Sequence, residues 1–205
     1  MPIDLEQRLR HAVAESSGSD GVPRFLNIGS GRDRRHGYVN VDLSPLPEVD
    51  VVASLTGEAL PFPDDTFTVV LCRDILEHVE VVPALRELHR VLAPGGTVVI
   101  SAVHFTSRNL YVDPTHVRGY SVRTFDFFVQ GSSRRDRGYY FDFTFSEVVE
   151  AAIQFSAQLG RGRFLLWDRL VEPLVNSRAL VQDLYEMTFA SRLFPAANVV
   201  AVLRK

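Results

Sequence analysis

Phe25-Leu-Asn-Ile-Gly-Ser-Gly31, followed by Tyr38-Val-Asn-Val-Asp42, decides how this chain is read. One short apolar run ends in two glycines, and a second ends in an acid. Glycines after a strand let the backbone approach a ligand closely. A carboxylate at the tip of the next strand can accept hydrogen bonds from both hydroxyls of a ribose. The two runs together point to a nucleoside-bearing cofactor. Two glycines in a loop also make an ordinary turn, so the surroundings carry the weight of the reading.

Working outward, apolar runs recur at 24–28, 38–41, 49–53, 66–72 and 97–103. A helix-patterned segment at 82–92 runs up to Ala93-Pro-Gly-Gly96, a helix stop followed by a turn. This alternation predicts an α/β sandwich with a mostly parallel sheet. The connection from Gly31 to Tyr38 is too short for a full crossover helix. Either the first helix is shortened or the first two strands are joined unusually.

Leu5, Leu9 and Val13 lie at helical spacing and predict a short amphipathic helix over 4–14, before a Ser/Gly/Asp linker at 16–22. Beyond Val103 the pattern loosens. We expect a long loop at 104–120, a helix at 121–129 and a Gly/Ser/Arg-rich loop at 130–137. Strand follows within 141–155, then largely helical chain over 165–192 despite Pro173, and a closing strand at 197–203.

The 205 residues fit one domain, and an apolar fraction of 46% can furnish a core. A net charge of −3 gives no general pull toward nucleic acid or anionic membrane. No apolar run approaches the ~20 residues of a membrane span, and residues 1–19 lack the apolar centre of a signal peptide. The single cysteine, Cys72, excludes an internal disulfide and a cysteine-built zinc site, and reads as a small core residue. The expectation is a soluble cytoplasmic protein.

Further motifs narrow the cofactor. Asp42 comes 11 positions after Gly31, whereas dinucleotide folds place the acid about 20 residues on and use a third glycine. Arg34 occupies the place of that glycine, which disfavours a pyrophosphate and so a nicotinamide oxidoreductase. Leu60-Pro-Phe-Pro-Asp-Asp-Thr-Phe67 precedes the fourth strand, Leu76-Glu-His-Val79 follows it, and Arg90-Val-Leu-Ala-Pro-Gly-Gly96 leads into the fifth. Over about 24–103 these motifs, in this order, resemble the class I S-adenosylmethionine-dependent methyltransferases, in particular the small single-domain branch like methyltransferase type 11. Asp113-Pro-Thr-His116, Thr124-Phe-Asp-Phe-Phe128, Tyr185-Glu186 and Leu193-Phe-Pro-Ala196 also look like parts of that branch.

The resemblance implies a Rossmann-like three-layer sandwich with a seven-stranded, mostly parallel sheet whose last strand is antiparallel. It implies one methyltransferase domain over 1–205, with 1–22 as N-terminal helix and linker and 104–196 as substrate-side loops and helices. It further implies that Gly29, Ser30 and Gly31 pass the amino-acid part and the ribose of S-adenosyl-L-methionine. Asp42 would bind the ribose hydroxyls and Leu43 would lie against the adenine. Ser54 and Leu55 fall where relatives meet the adenine edge, often through an Asp. Asn27 replaces an acid common before the glycine pair; it can donate and accept hydrogen bonds but brings no charge. Arg73 and Asp74 sit at the mouth of the cofactor site, where relatives often carry small or imidazole residues. Glu77 and His78 read chiefly as helix-start residues.

Methyl transfer is an in-line displacement on a sulfonium. The cofactor brings the electrophile, and the protein supplies position and desolvation. Open parallel sheets bind ligands beyond the carboxyl ends of their strands. That places His104, directly after the fifth strand, and Asp113 and His116, in the following loop, as candidate catalytic residues. Either histidine can act as general base, with Asp113 orienting one of them. Asp113 and His116 can equally serve to fix the loop. His104, Asp113 and His116 also make a mixed nitrogen and oxygen ligand set, but loop spacing of this kind is unspecific and no metal is expected.

The expected reaction is O- or N-methylation of a small molecule. Arg134-Arg-Asp-Arg-Gly-Tyr-Tyr-Phe141 can form a lid that pairs with an acidic acceptor, or a solvated loop without a ligand. Arg118 and Arg123 can add to a basic patch. The rivals are an RNA or protein methyltransferase and a catalytically degenerate methyltransferase fold that acts as a binding partner. No membrane contact is expected and a nucleic-acid partner is disfavoured; the sequence leaves the oligomeric state open.

Overall fold

The computed structural model describes residues 3–16, 24–135, 138–155 and 170–205. Seven strands form one sheet: β1 Phe25–Ile28, β2 Tyr38–Asp42, β3 Val51–Val52, β4 Phe67–Arg73, β5 Leu92–Val103, β6 Glu147–Gln154 and β7 Asn198–Arg204. Their spatial order is β3-β2-β1-β4-β5-β7-β6. The pairings from β3 through β5 are parallel, and β7 runs antiparallel to both β5 and β6. This is the Rossmann-like, mostly parallel sheet with an antiparallel last strand.

The helices are α1 Leu5–Glu15, α2 Val81–Val91, α3 Asn109–Val112, α4 Glu172–Val175, α5 Ala179–Met187 and α6 Ala190–Leu193. Asp4 caps α1 by accepting from the Glu6 N–H at 3.0 Å. In α2 the buried residues Val81, Ala84, Leu85, Leu88 and Val91 repeat at helical spacing and form one apolar stripe. That stripe packs with Leu26, Ile28, Val70, Cys72, Val98 and Ile100 on one face of the sheet. Leu5, Leu9 and Ala12 of α1 pack against the alternate residues Val69, Leu71, Val99, Val200 and Val202 on the other. Strand β4 is therefore covered on both faces, which is why it reads as an unbroken apolar run. Each fully buried Leu contributes about 1.5–3 kcal/mol of transfer free energy. Burial drives the Cys72 thiol well above its usual range and leaves it unreactive in the core.

Strands β1 and β2 are parallel neighbours joined by residues 29–37 without a helix. Asn40, 1% exposed, holds this connection in shape. Its Oδ1 accepts from Arg35 N at 2.9 Å and from Asn27 Nδ2 at 3.1 Å, and its Nδ2 donates to the carbonyls of Arg35 and Tyr38. The side face of the loop is tied to α1 and β4 by ion pairs. Glu6 meets the Arg35 guanidinium at 2.6 Å, and Asp33 meets Arg73 at 2.7 Å.

Several expectations need correction. The Ala93-Pro-Gly-Gly96 stop does end α2, but no separate turn follows; β5 starts at Leu92. Leu92 already pairs with Phe67, a register shift before Val69 absorbs the extra residues, and Lys205 N donates to the Gly96 carbonyl at 2.9 Å. Only Val51–Val52 of the third apolar run pairs as strand. The segment 121–129 holds only a 3-10 turn, Thr124–Phe128. The strand expected within 141–155 is β6, Glu147–Gln154, and before it Phe141, Phe143 and Phe145 turn into an aromatic cluster with Phe128. The described part of 165–192 is largely helical as expected, in three pieces, α4, α5 and the start of α6, whereas the long loop after β5 contains the single turn α3. The linker at 17–22, residues 165–169 and Asp136–Arg137 lie outside the described residues.

Candidate active site

The direction of chain progression reverses between β1 and β4, and the carboxyl ends of β1, β2, β4 and β5 gather there. Open α/β sheets place their ligand sites at such a point. Gly29 at φ +65° and Gly31 at φ +50° turn the chain sharply off β1. Ser30 N donates to the Val41 carbonyl at 3.0 Å, so the bend lies against β2. The Asp42 carboxylate accepts from Gly31 N at 2.8 Å through Oδ2 and from Ser44 N at 2.8 Å through Oδ1. Each oxygen keeps lone-pair capacity for a ligand hydroxyl. Leu43 beside it is 70% exposed. The Ser30 hydroxyl is buried and lacks a hydrogen-bond partner in the described structure. A buried hydroxyl without a partner, beside the Asp42 carboxylate, fits the polar parts of an adenosyl amino acid.

A Cβ built on Gly29 would lie 1.9 Å from Ile75 Cδ1, whereas one on Gly31 meets nothing within 4 Å. Gly29→Ala is therefore expected to cost about 2–4 kcal/mol, from left-handed backbone strain plus displacement of Ile75. Gly31→Ala carries the backbone strain alone. Paired thermal melts check this, and equal losses in the two variants would refute it.

The remaining cofactor-side residues are placed as follows. Asn27 is 3% exposed and spends its Nδ2 on the Asp33 carbonyl and on Asn40 Oδ1, which makes it a loop-holding residue. The Ser54 hydroxyl donates to the Thr56 carbonyl and accepts from Thr56 N, so it closes its own turn. The Leu55 side chain is buried and packs in the core. The Arg73 guanidinium is engaged by Asp33. Asp74 has φ +55°, an uncommon conformation for a residue other than glycine. Its Oδ1 accepts from Asn198 Nδ2 at 2.9 Å and Ser101 Oγ at 3.2 Å, and loss of solvent raises its carboxyl pKa.

Beyond β4 and β5 a 300 Å³ cleft is lined by Asp74, Glu77, His78, Asp113 and His116, with no lysine or arginine. Glu77 is 2% exposed and its Oε2 has no partner in the described structure. Burial, reinforced by the charges of Asp74 and Asp113, pushes its carboxyl pKa up to about 7. Burial and the neighbouring His116 lower the pKa of His78. The His78 and His116 rings meet edge to face, with centroids 4.5 Å apart. A larger groove of 530 Å³ lies between α1 and the β6–β7 edge, among Arg8, Glu150 and Arg204, away from these groups.

His104 does not join this cleft. It is 0% exposed, its Nδ1 accepts from Thr106 N at 3.1 Å, and its Nε2 donates to Glu186 Oε1 at 3.1 Å. With both nitrogens engaged and no exposure it is a buried fold residue, and the expectation of a catalytic base there is corrected. Asp113 and His116 are brought together, but Asp113 does not orient the ring through Nδ1. That role belongs to the Asn109 carbonyl at 3.0 Å, and Asp113 Oδ2 lies 3.9 Å from Nε2. Arg123 pairs with Asp183 at 2.7 Å and Arg134 with Asp126 at 3.5 Å, so neither is a free anion-binding cation. Sequence reasoning set Glu77 and His78 aside as helix-start residues; their position directly after β4 was the available signal.

Residues 6–100 match the methyltransferase domain family, over the very elements that build the glycine bend and Asp42. The match covers a little under half of the chain. A 98-residue stretch is 35% identical to the demethylmenaquinone methyltransferase of Lysinibacillus sphaericus, covering 44% of this chain and 36% of that protein. A 122-residue stretch is 30% identical to the uncharacterized methyltransferase YcgJ of Bacillus subtilis, covering 54% of this chain and 44% of that protein. The matched part of the chain thus spans less than half the length of these curated relatives. A SAM-dependent methyltransferase from Archaeoglobus fulgidus shares the fold across 98% of this chain and 93% of its own, at a TM-score of 0.58 and 19% identity. No described helix is long and apolar enough to cross a membrane.

Proposed function

We propose that this chain is a cytoplasmic enzyme that transfers a methyl group from S-adenosyl-L-methionine to oxygen or nitrogen of a small molecule. The observation that carries the reading is the Asp42 carboxylate bonded at 2.8 Å to the Gly31 N–H, which brings the ribose-binding acid and the glycine bend into one cradle. In this reading Asp42 holds the ribose, Leu43 flanks the adenine, and Ser30 and Gly31 face the amino-acid part. The bound cofactor supplies an electrophilic methyl group on a sulfonium. The acceptor enters the cleft beside Asp74, Glu77 and His116, where His116 Nε2 is a ring nitrogen not used by the fold. Three carboxyl side chains and no lysine or arginine line that cleft, so the acceptors it suits are neutral or cationic rather than acidic.

The test is conversion of S-adenosylmethionine to S-adenosylhomocysteine with a panel of small alcohols, amines and acids. Turnover with at least one of them is expected. Turnover with RNA or protein alone would move the acceptor to a macromolecule. Binding of S-adenosylhomocysteine without turnover on any acceptor would make the chain a binding partner, and no binding would overturn the reading.

A further inference from the structure

We propose that His78, His116 and Asp113 form a binding site for one divalent transition-metal cation, at the acceptor side of the cleft. One nitrogen of each ring and one oxygen of Asp113 lie within 4.8 Å of one another. Metal–ligand bonds of about 2.0–2.2 Å place adjacent donors roughly 3 Å apart, so shifts under about 1 Å per donor complete the set. Two imidazoles and one carboxylate leave open positions on the ion and suit divalent iron, manganese or zinc.

The hydrogen bonds around the three side chains select the donor atoms. His116 Nδ1 lies 3.0 Å from the Asn109 carbonyl, which only accepts. Nδ1 therefore carries the proton, and Nε2 presents its lone pair. Thr115 Oγ1 donates to Asp113 Oδ1 at 2.6 Å, since a carboxylate has no proton to give. The same hydroxyl oxygen, 2.8 Å from His78 Nδ1, must then accept from it, which leaves His78 Nε2 as a second lone pair. Asp113 Oδ1 takes both Thr115 donors, at 2.6 and 2.9 Å, and leaves Oδ2 free to ligate. Metal-binding histidines characteristically hand their other N–H to a carbonyl or polar oxygen, which is the arrangement found at both rings. Independently, the buried Glu77 Oε2 lacks a partner and lines the same cleft, alongside Asp74. A cation would neutralise this concentration of carboxyls.

The role of the ion rests on the proposed methyl transfer; its binding does not. An acceptor oxygen on an open position of the ion would lose its proton to water more readily. It would then attack the methyl carbon as the carbon–sulfur bond breaks, and the bonding pair would stay on sulfur.

The test is calorimetric titration of the EDTA-stripped chain with Zn²⁺ and, separately, Mn²⁺, followed by titration with S-adenosylhomocysteine. One cation per chain is expected for at least one metal. Thr115→Ala, at an exposed position, is expected to weaken binding by about 10–100-fold, with larger losses for His116→Asn and Asp113→Asn. Circular dichroism confirms that each variant is folded. No binding by either metal, a stoichiometry other than one, or wild-type affinity in a folded His78→Asn/His116→Asn double variant would overturn the site. Cation binding without S-adenosylhomocysteine binding would leave the site standing and remove the methyl-transfer reading.

Discussion

Asp42→Ala is expected to weaken S-adenosylhomocysteine binding by roughly 30–150-fold, or about 2–3 kcal/mol. In the proposed reading, two charge-assisted bonds to the ribose hydroxyls would disappear with the carboxylate. The same change releases Gly31 N and Ser44 N, each held at 2.8 Å, so the glycine bend keeps only the Ser30–Val41 bond of its two ties to β2. Asp42→Asn keeps one acceptor oxygen and should fall between the two. Calorimetry is the measurement. An affinity equal to wild type in a folded Asp42→Ala protein would remove the cofactor assignment.

Glu186→Ala is expected to destabilise the fold by roughly 3–5 kcal/mol without touching the cofactor cradle. The carboxylate accepts from His104 Nε2, Val122 N and Ser121 Oγ, and it joins α5 to the segment after β5. Truncation leaves those donors without an acceptor in the interior. Urea midpoints at neutral pH report the loss, and a change within 1 kcal/mol would show that the network carries little of the stability. Burial alone would raise the carboxyl pKa of Glu186, but bonds from His104, Ser121 and Val122 outweigh it and hold the value below the ordinary 4.5. The folded state thus prefers the charged form. Its contribution is complete above the unfolded value and is lost as pH falls through the lower folded one. The gap between wild type and Glu186→Gln should therefore narrow in acid.

Local pattern was most readable where one element has two buried faces or one stripe. The unbroken apolar run of β4, the stripe of α2 and the glycine-to-acid step from Ile28 to Asp42 could all be read from spacing alone. The missing helix between β1 and β2 was legible too, since the distance from Gly31 to Tyr38 forbids it. What could not be read is long-range. Nothing near His104 in the chain reveals that Glu186 closes over it, so a residue in a good position for chemistry turned out to be enclosed. Likewise His78 precedes Asp113 and His116 by a helix and a strand, and only the fold sets their rings together. Phe141, Phe143 and Phe145 alternate as a strand would, yet the aromatic cluster claims them before any ladder forms.

The helix-free connection after Gly29 has a practical side. In its place the sheet borrows α1, whose leucines cover Val69, Leu71 and Val99 and whose Glu6 grips Arg35. Residues 3–16 are therefore part of the packed fold. Removing them would strip one side of the sheet and loosen the cradle from behind, so affinity tags and fusions are better attached at the exposed tip around Tyr139 and Tyr140 than by replacing the amino-terminal segment.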